Sequence, residues 1–230
     1  MTTAPPPVVG IVLAAGAGSR LGTPKALVRS ADGAPLVARA VAALADGGCA
    51  RIVVVLGAEA MAAQRLLLGG PRVEVVVASD WAQGMGFSLR AGLDATRAAV
   101  AEEARAALEG MPPERVGVAQ PDPPAPPVAV VVTLVDLPDV GADVVRRLAD
   151  QARAGGPTTL ARAAYQGRPG HPVVLGRAYW AAAAVAADGD RGARVLLANP
   201  RTVLVECGDL ATGRDLDTGD DLADWHEGRW

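Results

Sequence analysis

VVGIVLAAGAGSRLGTPK, residues 8–25, is the stretch on which the reading of this chain turns. Val8 to Ala14 is an unbroken apolar run that ends in small residues, the pattern of a parallel strand buried on both faces. Gly16 and Gly18 follow at once, and glycines there let a backbone turn closely around an anion with its N–H groups aimed inward. Arg20 and Lys25 add two positive charges to the same loop. It matches neither common phosphate signature. A Walker A loop needs Gly-Lys-Ser/Thr, whereas Thr23-Pro24 separates Gly22 from Lys25. A dinucleotide fingerprint needs a third glycine where this chain has Leu21. Without Arg20, Pro24 and Lys25, the two glycines would read as an ordinary strand-to-helix turn.

Outward from that loop, strands and helices alternate. Pro35 to Ala45 reads as an amphipathic helix stopped by Gly47-Gly48, Arg51 to Leu56 as a strand, Glu59 to Leu68 as a helix and Arg72 to Val77 as a strand. That order predicts a parallel sheet with right-handed crossovers. Ser79 to Gly86 reads as a loop, and a long Ala-rich helix runs from about Phe87 to Glu109. Met111 to Pro127 holds seven prolines and reads as a mobile surface loop. It does not divide the chain, because Val128 to Val135 is needed to continue the same sheet. Beyond it come a helix over Gly141–Ala154, strands over Thr158–Ala164 and Pro172–Leu175, and helices over Arg177–Ala187 and Gly192–Ala198. A strand over Thr202–Cys207 and a helix over Gly219–His226 finish the chain. The expectation is one α/β domain over residues 1–230, a Rossmann-like three-layer αβα sandwich with a mostly parallel central sheet.

Composition narrows the function. Half of the 230 residues are hydrophobic but only 3% are aromatic, so the core must be built from Ala, Val and Leu. A net charge of −3 argues against a nucleic-acid surface. Charged residues or Gly interrupt every apolar run well short of the ~20 residues of a membrane span. Met1 to Pro7 lacks the basic and apolar regions of a secretion signal, so a cytoplasmic location is expected. Cys49 and Cys207 cannot build a disulfide framework, and no Cys/His spacing suggests zinc. Lys and Arg total 22, yet Lys25 is the only lysine. A coding preference for Arg explains the pattern but not the exception. Either Lys25 is a chance survivor or it marks a site where a guanidinium fork cannot replace a compact ammonium.

Four further constellations bear on chemistry. Asp136, in Leu134-Val135-Asp136-Leu137-Pro138, ends a central strand where open α/β sheets place ligands; it suits Mg²⁺ held with phosphate oxygens, or a helix N-cap. In Asp215-Leu-Asp217-Thr218, Asp217 could complete that metal site, while Thr218 suits a helix cap. Gly167-Arg168-Pro169-Gly170-His171-Pro172 reads as a rigid loop around one of two histidines, structural or substrate-facing; His226 reads as surface. Asp190 to Arg194 either presents arginines to an anionic substrate or simply starts a helix.

Taken together these residues resemble the MobA-like nucleotidyltransferase family, and within it the molybdenum cofactor cytidylyltransferase (MocA-like) branch. The opening motif, roughly LAAGxGxRxGxPK, is matched from Leu13 to Lys25, and the metal-binding Asp-x-Pro by Asp136 and Pro138. Branch features recur in order at Trp81-x-x-Gly84-Met85-Gly86-x-Ser88-Leu89, Gly170-His171-Pro172, Gly189–Arg194 and Asp215-x-Asp217-Thr218. Two departures stand out: the Pro-rich segment is longer than the family needs, and Gly219 replaces the usual Pro after Thr218, leaving that turn less rigid. The resemblance implies the nucleotide-diphospho-sugar transferase type of fold and Mg²⁺-dependent transfer of a nucleotide, with CTP as the expected donor. The acceptor would be a small phosphorylated compound such as molybdopterin, with delivery to a molybdoenzyme as a further implied partnership. Leu13, Ala14, Ala15, Gly16, Gly18, Ser19, Arg20 and Lys25 would bind the nucleotide together with Gly84, Gly86 and Ser88. Arg20, Lys25 and Asp136 would be catalytic, Asp136 and Asp217 would hold the metal, and His171 and Arg194 would face the acceptor. Some relatives of the branch are NAD(P)H-dependent reductases of a pigment of nicotine breakdown, which is one alternative; a non-catalytic carrier of a nucleotide cofactor is another.

Overall fold

A computed structural model describes residues 4–67, 72–109, 125–187, 189 and 193–229. Its centre is β1 (Val8–Ala14), in which all seven residues are buried. Strand β1 can be apolar on both faces because helices cover both sides of the sheet. Val8, Val12 and Ala14 join one core layer, and Val9, Ile11 and Leu13 the other. Parallel neighbours flank it, β2 (Arg51–Leu56) on one side and β4 (Ala129–Leu134) on the other. β3 (Val73–Val77) extends the sheet beyond β2, and β5 (Leu160–Tyr165), β6 (Arg168–Gly176) and β7 (Val203–Glu206) extend it beyond β4, in the order β3-β2-β1-β4-β6-β5-β7. The architecture is a Rossmann-like, mostly parallel sheet in which β6 alone runs antiparallel to its neighbours β4 and β5.

The first layer is covered by α1 (Leu36–Asp46) and α4 (Ala142–Gly155), with α2 (Ala60–Arg65) and α7 (Gly219–His226) at its margins. α4 turns Val144, Val145, Leu148, Ala149 and Ala152 inward, the spacing of an amphipathic stripe. α1 lies so close to β1 that a Cβ on Gly10 would come 2.7 Å from Leu44 Cδ1. The second layer is covered by α3 (Met85–Glu109), α5 (Trp180–Ala186) and the short α6 (Arg194–Leu197). No described helix is long and apolar enough to cross a membrane.

Strand order locates the crevice. From β1 the chain steps to β2 and β3 on one side and returns to β4 on the other, so the carboxyl ends of β1 and β4 flank a topological switch point. Ligands of open α/β sheets bind at such a point.

One sequence expectation changes in kind. The short strand expected over Pro172–Leu175 is nine residues long and starts at Arg168, so Arg168 to His171 belong to a strand and not to a rigid loop. The cause is the turn: Gln166 (φ 53°) and Gly167 (φ 77°) both lie in the left-handed region, which closes a two-residue hairpin between the paired Tyr165 and Arg168. The surface loop expected over 111–127 lies outside the described residues except for 125–127. Leu148 is fully buried under the sheet. Leu148→Ala is expected to lower unfolding stability by about 2–5 kcal/mol with the fold retained, read from urea denaturation.

Candidate active site

β1 ends at Ala14, and its exit loop is pinned at two points. Gly18, at φ 63°, accepts hydrogen bonds at its carbonyl from the N–H groups of Leu21 (2.9 Å) and Gly22 (2.8 Å). A Cβ on Gly18 would fall 1.9 Å from the Thr23 carbonyl oxygen, so only glycine closes this turn. After Pro24 the chain makes one 3₁₀ turn, Lys25–Leu27, with Ala26 fully buried as its anchor. Lys25 therefore projects from a fixed base.

Its ammonium meets two carboxylates from distant parts of the chain. Lys25 Nζ donates to Asp136 Oδ2 at 2.6 Å and to Asp217 Oδ1 at 2.5 Å. Arg20 donates to the other oxygen of Asp217 at 3.2 Å from a largely exposed position. Burial works against the charge on Lys25, but Asp136 and Asp217 outweigh it and hold its pKa above the ordinary lysine value. Asp136 follows β4 and caps no helix, since α4 starts at Ala142 with Gly141 before it. Asp217 is free for the same reason. The cap of α7 is Thr218, which exchanges hydrogen bonds with Asp221 in a capping box.

These residues suit a divalent cation. Asp136 Oδ1 is buried and has no hydrogen-bond partner, which leaves a ligand atom to spare. Asp215 adds negative charge at the rim; partial loss of water, then the charges of Asp136 and Asp217, push its pKa up to about 6. No set of three or more acidic, His or Cys side chains converges among the described residues. Two carboxylates with phosphate oxygens completing the shell is the habit of Mg²⁺ more than of a caged ion.

A cleft of about 420 Å³ opens beside this cluster. Leu13, Ala15, Gly16, Gly18, Ser19, Arg20, Lys25, Gly84, Ser88, Asp136 and Asp217 all line it, as the sequence reading expected. Ala14 and Gly86 do not. Strand alternation turns Ala14 into the opposite core layer, and Gly86 is buried in the first turn of α3. Met85, inside the Gly84–Ser88 segment that the resemblance turns toward the base and ribose, also lines the cleft, as does Trp81, to which the sequence reading gave no role. Trp81 is seated by Gly57, where a Cβ would come 2.5 Å from Trp81 Cγ; an isolated glycine after a strand was the available signal. His171 and Arg194 lie outside this cleft. His171 is on β6, its carbonyl accepting the Tyr165 hydroxyl at 2.7 Å, and Arg194 opens α6. Asp190, Arg191 and Gly192 are outside the described residues. His226 is exposed, and its Nε2 lies 2.9 Å from the Arg29 carbonyl oxygen.

Comparison with known proteins adds a lineage to this geometry. The family model described as "MobA-like NTP transferase domain" matches residues 10–204. Nicotine blue oxidoreductase of Paenarthrobacter nicotinovorans is 35% identical over 220 residues, which cover 93% of each chain. Among solved structures, Rv0371c from Mycobacterium tuberculosis H37Rv superposes with a TM-score of 0.69 at 25% identity, over 97% of this chain and 100% of that one. A complex of Rv0371C with manganese gives 0.65 at 23% identity, over 96% and 98%.

His171 supplies a pH signature. Burial first, then the Arg162 charge, with Arg194 adding and Asp136 opposing, push its imidazole down to about 4. Between the ordinary histidine value and about 4, the unfolded chain takes up a proton that the folded chain refuses. Stability therefore falls as pH drops through that window, at a slope on the order of 1 kcal/mol per pH unit. Urea denaturation of wild type and His171→Gln at pH 7 and pH 5 is expected to show the larger loss in wild type.

Proposed function

The chain belongs to the MobA-like NTP transferase domain family, and from that premise we propose that it is a Mg²⁺-dependent nucleotidyltransferase. In this reading CMP moves from CTP to a phosphorylated acceptor of the molybdopterin type, and pyrophosphate is released. One observation carries it: Lys25, the only lysine, bridges Asp136 and Asp217 at the mouth of the glycine loop.

The reaction asks for positioning and charge neutralisation more than covalent chemistry. An oxygen of the acceptor phosphate bonds to the α-phosphorus of the triphosphate, the bond from that phosphorus to the bridging oxygen breaks, and pyrophosphate carries the electron pair away. The loop from Ala15 to Ser19 cradles the polyphosphate. Lys25 and Arg20 hold the β- and γ-phosphates and stabilise the charge that grows on the leaving group. Asp136 and Asp217 would hold Mg²⁺, which when bound supplies charge neutralisation at the reacting phosphate. Trp81, Gly84, Met85 and Ser88 border the base and ribose, and His171 with Arg194 serves the acceptor side. Handing the product to a molybdoenzyme would follow from that choice of acceptor.

Lys25→Ala and Asp136→Asn are each expected to cut pyrophosphate release by ~10²-fold or more with an unchanged far-UV circular dichroism spectrum. Wild-type rates in both variants would remove the mechanism. CTP with Mg²⁺ is expected to raise the melting temperature more than GTP, ATP or UTP at equal concentration.

The full-length similarity to nicotine blue oxidoreductase favours a second reading, reduction of a pigment by NAD(P)H in the same cleft. Leu21 in place of a third glycine makes dinucleotide binding less natural than triphosphate binding. Under transfer, absorbance at the nicotinamide band stays constant when NAD(P)H is mixed with candidate dyes; under reduction it falls with turnover.

A further inference from the structure

Among the described residues some arginines have carboxylate partners, such as Arg39, Arg51, Arg147 and Arg229, whereas Arg162 and Arg194 are among those that have none. Arg162 is partly buried in the middle of β5, and its one hydrogen bond runs from Nε to the Gly170 carbonyl at 3.3 Å. The terminal nitrogens of its guanidinium are left unused.

Strand register shows which way this charge faces. Leu160, Val173 and Leu175 belong to the core layer that also holds Leu13 of the nucleotide cleft. Arg162 is two residues on from Leu160 and pairs across with Val173, and His171 is two residues before Val173. Side chains two apart on a regular strand share a face, which places Arg162 on the cleft side of the sheet. The β5–β6 register shifts beyond Val173, so alternation does not carry to His171, but the charges of Arg162, Asp136 and Arg194 all reach its imidazole. Ala193, Leu196 and Leu197 of the α6 region pack into the same layer, and the adjacent Arg194, itself exposed, is near enough for its charge to act on Arg162 and His171.

Sheet order then lays the groups out in sequence. β1 brings the glycine loop, β4 Asp136, β6 His171 and β5 Arg162. The β4–β6 ladder ends with Val132 opposite Val173, and beyond it the His171 imidazole is near enough for the Asp136 charge to act on it. Neighbouring strands are about 4.8 Å apart, so Arg162 starts roughly 10 Å from the β4 line and its long side chain can span part of that gap. The nucleotide loop is on one side of Asp136 and the arginines on the other.

We propose that Arg162, with Arg194, forms an anion subsite across Asp136 from the nucleotide loop, and that it receives a phosphate group of the second substrate. Its name as an acceptor subsite rests on the transfer reading; the anion site itself does not. Burial, and then repulsion from the Arg194 charge, push the pKa of Arg162 down. A bound phosphate relieves that repulsion and takes up the free nitrogens in charge-assisted, bidentate bonds. Neutral His171 between the arginines and Asp136 adds a donor or acceptor without adding to the repulsion.

The chain has two histidines, so proton NMR of the imidazole C2–H resonances reads the site with a built-in control. Inorganic phosphate is titrated into the protein with neither nucleotide nor metal present, against chloride at matched ionic strength. The His171 resonance is expected to move saturably with phosphate, while His226, bonded to the Arg29 carbonyl elsewhere, stays put. Arg162→Met is expected to weaken that response at least tenfold, Arg162→Lys to restore part of it, and Arg194→Met, on an exposed position, to weaken it as well. A silent His171, an equal response to chloride, or a full response in an Arg162→Met protein with a wild-type backbone spectrum would each overturn the subsite. An inactive transferase that keeps the response would retire the transfer reading and leave the subsite standing.

Discussion

A single ammonium held between two carboxylates organises the cleft. Lys25 is separated from Asp136 by 111 positions and from Asp217 by 192, so the pairing draws the exit of β1, the exit of β4 and the approach to α7 to one point. The side chains of Lys25 and Asp136 are both mostly buried, which makes their charges expensive to leave unmatched. Geometry favours lysine here. A compact point charge can contact two carboxylates from different directions, whereas a planar fork is matched best by one. The one exception to the preference for arginine thus stands where a compact ammonium fits better than a guanidinium.

The resting pairing also shapes how a doubly charged ion would arrive. The ammonium occupies the space between the carboxylates, leaving Asp136 Oδ1 as the free oxygen. On the proposed reading, polyphosphate in the glycine loop would give Lys25 other anions to satisfy, and the acids would then have charge to spare. Metal and nucleotide would be co-ligands of such a site, each making room for the other.

Much of this was legible in the residue order, for identifiable reasons. β2 over Arg51–Leu56 and α7 over Gly219–His226 were readable to the residue, the first from an apolar run and the second from the cap residue Thr218 before it. Lys25, Asp136 and Asp217 stood out because each follows a strand or precedes a helix within a motif. β6 was harder. Pro169, Gly170 and Pro172 look like loop residues, and only the left-handed pair Gln166-Gly167 betrays the hairpin that turns them into a strand. Arg162 carried no local signal at all, since one arginine in a strand reads as a solvated position until the sheet is assembled around it. Ala14 shows the converse. It belongs to the motif by sequence, yet alternation along β1 points its methyl group away from the cleft.

The reversal of strand direction at β6 has a consequence for the history of such a protein. On the proposed reading, the nucleotide would be gripped from the parallel half, by β1 and the β4 exit, while β5, β6 and α6 would bear the proposed anion subsite. Mutations could accumulate there without touching the glycine loop. A lineage built this way can exchange one recipient molecule for another, or one chemistry for another, while its nucleotide grip is inherited intact.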